Sequence, residues 1–323
     1  MTKFGKLCML MLVVVASSCN RDDVITITLE DRYYRAATPS SEVGCDKVYE
    51  YTPAPGQFIN ETKTGGFNGD ETTPEAAIEY AEGRMANGLY VSLGGFGGYI
   101  VVGFDHSIDN NVGYDLAIEG NSFSGSSEPG IVWVMQDEDG DGLPNNTWYE
   151  LAGSESGKIE TIKDYSVTYF RPDEKGKPVK WRDCNGVEGE IDYLRMYHRQ
   201  PYYYPTWIEE DSYTLTGTCL EARNFDTSGK GTYWVLPEYD WGYADNFSSI
   251  DRLTDDDNAN ATSNANHFDI ANAIDAEGKS VELKYIDFVK VQTAVNSKSG
   301  WLGEVSTEVF GFYDYGLMQL RDE

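Results

Sequence analysis

Asp137, Asp139 and Asp141 alternate in the stretch QDEDGDGLPNN, residues 136–146, with Gly142 directly behind them. Calcium takes roughly six to eight hard oxygen ligands, and this density of carboxylates and amides suits it. Leu143 would add a backbone carbonyl, and Asn145 or Asn146 an amide oxygen. The match to an EF-hand is partial: its twelfth position needs an acid, where Trp148 stands here, and its loop lies between helices rather than strands. The alternative reading is a polar hairpin turn, in which Asp, Asn and Gly serve their backbone preferences. A possible calcium ion held by Asp137, Asp139, Asp141 and Asn145 is the metal expectation. A second acidic run, Asp255 to Asp257, sits in a polar loop and reads first as a solvated segment.

Residues 193–247 are the other unusual stretch, dense in tyrosine and tryptophan. Such rings offer a flat apolar face with a polar tip, suited to stacking on sugars or on a larger planar ligand. In RQPYYYPTW, three tyrosines follow one another between prolines. Neighbours on an extended chain point to opposite sides, so at least one of Tyr202, Tyr203 and Tyr204 is expected to face away from the core. Together with Trp207, Trp241 and Tyr243, and with His198 beside them, they form the expected ligand-binding set. For any one ring the competing reading is core packing. If the rings prove to be core, the loops around Asn121, Glu128 and Asp245 are next in line.

An enzyme finds less support. A glycan hydrolase needs two carboxyl groups about 5 to 10 Å apart, one with a raised pKa. Glu209, Glu210, Asp211, Glu238 and Asp240 lie near aromatics and are candidates. The sequence has no nucleophile elbow, zinc-helix motif or nucleotide loop. Nor is nucleic acid an expected partner, because the formal charge is -29 and no basic stripe exists to meet phosphate.

The elements that must position these groups read mainly as strands. TTPEAAIEYAEGRMANG is the main helix: Thr73 can cap it, Pro74 suits its first turn, Ile78, Ala81 and Met85 share a stripe, and Asn87-Gly88 ends it. YDLAIEG, GIVWVMQ, SVTYF, SYTLTGTCLEA, TYWVL, DFVKVQTAV and STEVFGFYDY read as short strands separated by glycine and asparagine turns. The glycines of LGGFGGYIVVGF precede a β-branched run rather than a helix, so a turn is expected there instead of a phosphate cradle. The expected fold is mainly β, a β-sandwich or jelly roll with one main helix and an aromatic-rich insertion.

The amino terminus points to export. Lys3 and Lys6 precede an apolar run from Leu7 to Ala16, too short to span a bilayer core of about 30 Å, and Ser17-Ser18-Cys19 follows. Small residues before a cysteine resemble a lipobox, making residues 1–18 a signal peptide and Cys19 the lipidated residue. Residues 19–45, polar apart from VITITL, read as a tether, and 46–323 as the ligand-binding sandwich with its aromatic segment. Cys45, Cys184 and Cys219 allow at most one disulfide, with Cys184 and Cys219 as the expected pair.

GGYIVVGFDHSI, YDLAIEGNSF, SEPGIVWVMQDEDGDGLPNNTWYELAGSE, YPTWIEEDSYTLTGT, YDWGYADN, FDIANAIDAEG and IDFVKVQTAVNSKSGWLGEVSTEV together cover about half of residues 94–309. These blocks resemble a family of Bacteroidetes cell-surface lipoproteins. The resemblance implies a galactose-binding-like jelly roll exposed at the outer membrane, associated with TonB-dependent uptake systems including those for vitamin B12. On that basis the expected function is capture of a nutrient ligand, foremost a corrinoid, for handover to a transporter. A glycan is the alternative ligand, and a structural or adhesive role ranks third.

Overall fold

The computed structural model describes residues 32–61, 71–253 and 264–322. The signal peptide, Cys19, VITITL and Asp255 to Asp257 lie outside the described residues. From Tyr33 onward the chain forms one compact unit. Its elements begin with β1 (Lys47–Thr52), α1 (Pro74–Ala86), β2 (Val91–Ser92), β3 (Tyr99–Asp109), β4 (Leu116–Glu119), β5 (Gly130–Met135), β6 (Tyr149–Leu151), β7 (Ile162–Phe170), β8 (Val179–Asp183) and β9 (Glu188–Ile191). They continue with β10 (Ser212–Cys219), β11 (Phe225–Asp226), β12 (Trp234–Val235), β13 (Ala265–Phe268), β14 (Ala273–Ile274), β15 (Tyr285–Thr293), β16 (Glu308–Val309), β17 (Gly311–Asp314) and α2 (Tyr315–Asp322).

The protein is a mainly β sandwich with one main helix. Its largest sheet has the order β1-β3-β15-β5-β6-β14, and β13-β4-β17 forms a three-stranded sheet. Every pairing in these two sheets is antiparallel. β3 and β15 occupy the middle of the large sheet and are buried on both faces, which explains why IVV and IDFVKV run without a clean polar alternation. Ile100, Val102, Val132, Val134, Val289 and Val291 of the large sheet meet Leu116, Ile118, Phe268 and Phe312 of the smaller one in the main core. Ala77 and Ala81 of α1 close one side of it.

The four-stranded sheet β10-β7-β8-β9 builds a second core. In β7 Tyr165, Val167 and Tyr169 alternate inward while the intervening residues stay more exposed, the period-2 pattern of a sheet wet on one face. Thr73 caps α1 by accepting the Ala76 N–H at 3.2 Å, and Asn87 stands at the C-cap, as the sequence predicts. α2 was not expected: its residues follow directly on a strand, with Leu317 N–H donating to Asp314 Oδ1 at 2.8 Å to start the turn.

Two expectations are corrected. Residues 33–45 are docked on the sandwich rather than free as a tether: Arg35 exchanges backbone and side-chain hydrogen bonds with Ser107, and Cys45 N–H donates to Phe312 O at 2.9 Å. Cys45, Cys184 and Cys219 are all free thiols. Cys219 is buried with its thiol directed at Leu220 O, whereas Cys184 is exposed. Burial pushes the Cys219 thiol up to about 11.

Candidate functional site

The aromatic segment divides between cores. Tyr203 and Tyr204 are both buried because residues 201–210 turn instead of running extended, so the alternation expected of a strand does not apply. Their hydroxyls are satisfied inside the protein: Tyr203 donates to His198 O at 3.0 Å, and Tyr204 to Glu210 O at 2.8 Å. Trp207 belongs to the main core and Tyr243 to a third cluster with Tyr239 and Leu236. Four rings of the expected set are therefore packing residues, not a shared binding face. Tyr202 and Trp241 keep partial exposure, and half-buried His198 packs its ring edge against Phe58 at 4.9 Å. Glu209 and Glu210 line an open groove of about 440 Å³ beside Trp207 and Pro74, while Glu238 and Asp240 are exposed.

Trp241 lines a separate cavity of about 260 Å³ together with Tyr114, Asp251, His267, Asp269 and Asn272. Gly242 makes this possible. Its φ of 89° lies in the left-handed region, and a Cβ there would come within 2.5 Å of the Gly153 Cα. The bare backbone lets Trp241 O accept the Ser154 N–H at 3.0 Å, which fixes the tryptophan segment against the β6 end of the large sheet. Asp251 holds the opposite wall: its carboxylate accepts Gly242 N–H at 2.6 Å and the Asn266 amide at 2.9 Å. The Asp251 carbonyl lies 2.8 Å from His267 Nδ1. Burial lowers the His267 pKa, so the ring is neutral at pH 7 and donates through Nδ1. Tyr114 leans on that ring at 5.8 Å. The cavity thus combines two aromatic walls with carboxylate, amide and imidazole groups. Apart from Trp241, these residues carry no local signal in the sequence because they come from separate places: Tyr114 before β4, Asp251 ahead of β13, His267 on β13, and Asp269 and Asn272 just after it.

The acidic loop is also ordered. Asp137 is buried, and its two carboxylate oxygens accept the N–H groups of Gly140 at 2.7 Å and Gly142 at 3.0 Å. Both glycines have positive φ, 76° and 72°, which the tight wrap requires. Asp141 accepts Leu143 N–H and the Asn145 amide, both at 2.8 Å. Asp137, Asp139 and Asp141 each bring an oxygen within 4.8 Å of the others. The loop's entry is pinned by Asp287 of β15, whose Oδ2 accepts the Asp137 N–H at 2.8 Å. The spacing read from the sequence therefore does converge, and Asn145 contacts it through Asp141.

A second convergence of acids involves Glu128, Asp245 and Glu308. Burial raises the pKa of all three, and their mutual repulsion raises those of Glu128 and Glu308 further. The sequence pointed to the loops around Glu128 and Asp245; Glu308, on β16, had no local signal.

Comparison with protein-family models finds no match, and a search of the curated proteins likewise finds none.

Proposed function

We propose that the protein is an exported, lipid-anchored surface protein that captures a neutral glycan through the Trp241 cavity and passes it to an outer-membrane TonB-dependent transporter. The observation that supports this most is the pairing of the Trp241 and Tyr114 rings with Asp251, Asp269 and Asn272 around one cavity. An aromatic face and a few fixed hydrogen-bonding groups are what a sugar ring needs. The formal charge of -29 disfavours anionic ligands and leaves uncharged polyols unaffected. The cavity, about 260 Å³, is smaller than the roughly 300–1,000 Å³ that drug-sized ligands occupy, so it suits a single sugar unit better than the corrinoid implied by the family resemblance. In this reading, calcium at Asp137, Asp139 and Asp141 is structural, and the protein binds without catalysing.

The test is a glycan array probed with the purified protein, followed by calorimetry of the best glycan with Trp241→Ala. Removing a stacked ring is expected to weaken binding by roughly 1 to 3 kcal/mol. A blank array, together with cobalamin that stays with the protein through desalting, would replace the glycan by the corrinoid. A folded Trp241→Ala protein that binds its glycan at full strength would remove the site from this cavity.

A further inference from the structure

Glu128 lies in the loop before β5, Asp245 just beyond the Ala244–Gly130 bridge, and Glu308 on β16, so three distant segments deliver one carboxylate each. The convergence is built by the backbone. Glu128 N–H donates to Asp245 O at 2.9 Å, Asn121 N–H to Asp245 Oδ1 at 2.8 Å, and Glu308 N–H to Asp245 Oδ2 at 2.9 Å. Gly120 leaves the space that Asp245 needs, since a Cβ there would stand 2.6 Å from its Oδ1. Asp245 itself adopts a φ of 53°, uncommon outside glycine.

The observation pointing to a ligand is at Glu308. This residue is 3% exposed, and its Oε1 is buried without a hydrogen-bond partner. The charged groups that act most on Glu128 and Glu308 are other acids: Asp245 on both, Glu304 on Glu128 and Glu128 on Glu308. Asp245 and Glu128 accept backbone N–H groups, but Glu308 Oε1 has no partner; a buried carboxylate oxygen left so is unfavourable, and a cation removes that cost.

We infer that Glu128, Asp245 and Glu308 form a buried calcium site, separate from the Asp137 loop and independent of the glycan reading. The donor set is all oxygen, which selects hard cations over zinc or copper. Oxygens on opposite sides of a calcium ion, each at about 2.4 Å, are about 4.8 Å apart. The three carboxylates all fall within 4.8 Å of one another. Magnesium keeps several of its waters, and a site closed by buried Asp245 and Glu308 has little room for them. Glu128 is partly exposed and forms the way in. A bound ion would tie the loop before β5, the segment after Trp241 and β16 together.

The test starts from full-length protein carrying Asp139→Ala and Asp141→Ala, which disables the exposed loop. After chelator treatment and metal-free dialysis, calorimetric titration with calcium chloride is expected to give one equivalent bound, with weaker binding of magnesium. In the same background Glu308→Gln should abolish that equivalent, and Glu128→Gln should weaken it by at least roughly tenfold, because calcium affinity follows ligand charge. Zero equivalents in the loop variant would overturn the proposal and leave a cluster of acids that share protons. Magnesium binding as tight as calcium would overturn the choice of ion. If Glu308→Gln does not fold, the partly exposed Glu128→Gln decides: unchanged affinity there places the calcium elsewhere.

Discussion

Asp287 is expected to tolerate neither loss of charge nor the smallest change of shape. The residue is fully buried on β15. Its Oδ1 accepts Arg35 Nη2 at 3.0 Å and the Ser107 hydroxyl at 2.7 Å, while Oδ2 accepts the Asp137 N–H at 2.8 Å. Every partner is a donor. In Asp287→Asn one of the two oxygens becomes an NH2, and whichever way the amide turns it faces a donor. At least one hydrogen bond to a charged acceptor disappears, about 1.5–3 kcal/mol, and a buried donor is left opposed. The Arg35 ion pair adds little, because the arginine side chain is 41% exposed. The expected loss is about 3 kcal/mol, with a fall in Tm on the order of 5 °C. Urea unfolding followed by tryptophan fluorescence measures the first, and calorimetric scanning the second. A loss below about 1 kcal/mol at unchanged m-value would refute the claim that this carboxylate organises its surroundings. Asp137→Gly, which keeps the backbone donor, should leave most of the effect of Asp287→Asn in place.

If the acidic loop binds calcium, chelator should lower the Tm of the parent by several degrees through mass action, and by less in the Asp139→Ala, Asp141→Ala protein; equal shifts in both would leave the loop a plain turn. If Cys19 carries the lipid anchor, Cys19→Ala should move the protein from the membrane fraction to the soluble one, and continued partition with membranes would end the lipoprotein reading. Burial pushes the Glu304 carboxyl up to about 8, above an ordinary value of 4.5. Between those values the folded state holds a proton that the unfolded state has released, so stability falls as pH rises from 4.5 to 8 and levels beyond. In chelator, from pH 6.5 to 8, Glu304 alone should cost about 2 kcal/mol, and Glu304→Gln should show a correspondingly flatter profile in urea unfolding. Over that range Asp183 and Glu155, both held below the usual carboxylate range, contribute a constant amount.

Local signals in the sequence were legible where one segment decides its own structure. Thr73, Pro74 and Asn87 specify the ends of α1 without help from the rest of the chain. Much the same holds for the Asp137 loop, whose acids, glycines and internal turn bonds fall within residues 137–146, although Asp287 of β15 pins its entry. The aromatic segment failed for a related reason. Residue type says that Tyr203 and Tyr204 have large apolar faces, but which way they point depends on a turn whose hydrogen bonds reach Asn60 and Glu210. Glu308 was illegible because its meaning depends on Glu128 and Asp245, brought beside it by long-range pairing.

The position of β15 has a consequence for how the chain reaches its folded state. β15 lies between β3 and β5, so residues 99–135 cannot complete the large sheet until residues 285–293 have arrived. The three-stranded sheet likewise awaits β13 and β17. Closing loops of such length before any pairing rewards them makes folding slow. A nascent chain ending before residue 285 therefore presents β3 and β5 as open strand edges, the form in which strands pair with the wrong neighbours. Such a topology keeps the large sheet incomplete, with those edges open, until residues 285–293 have been made.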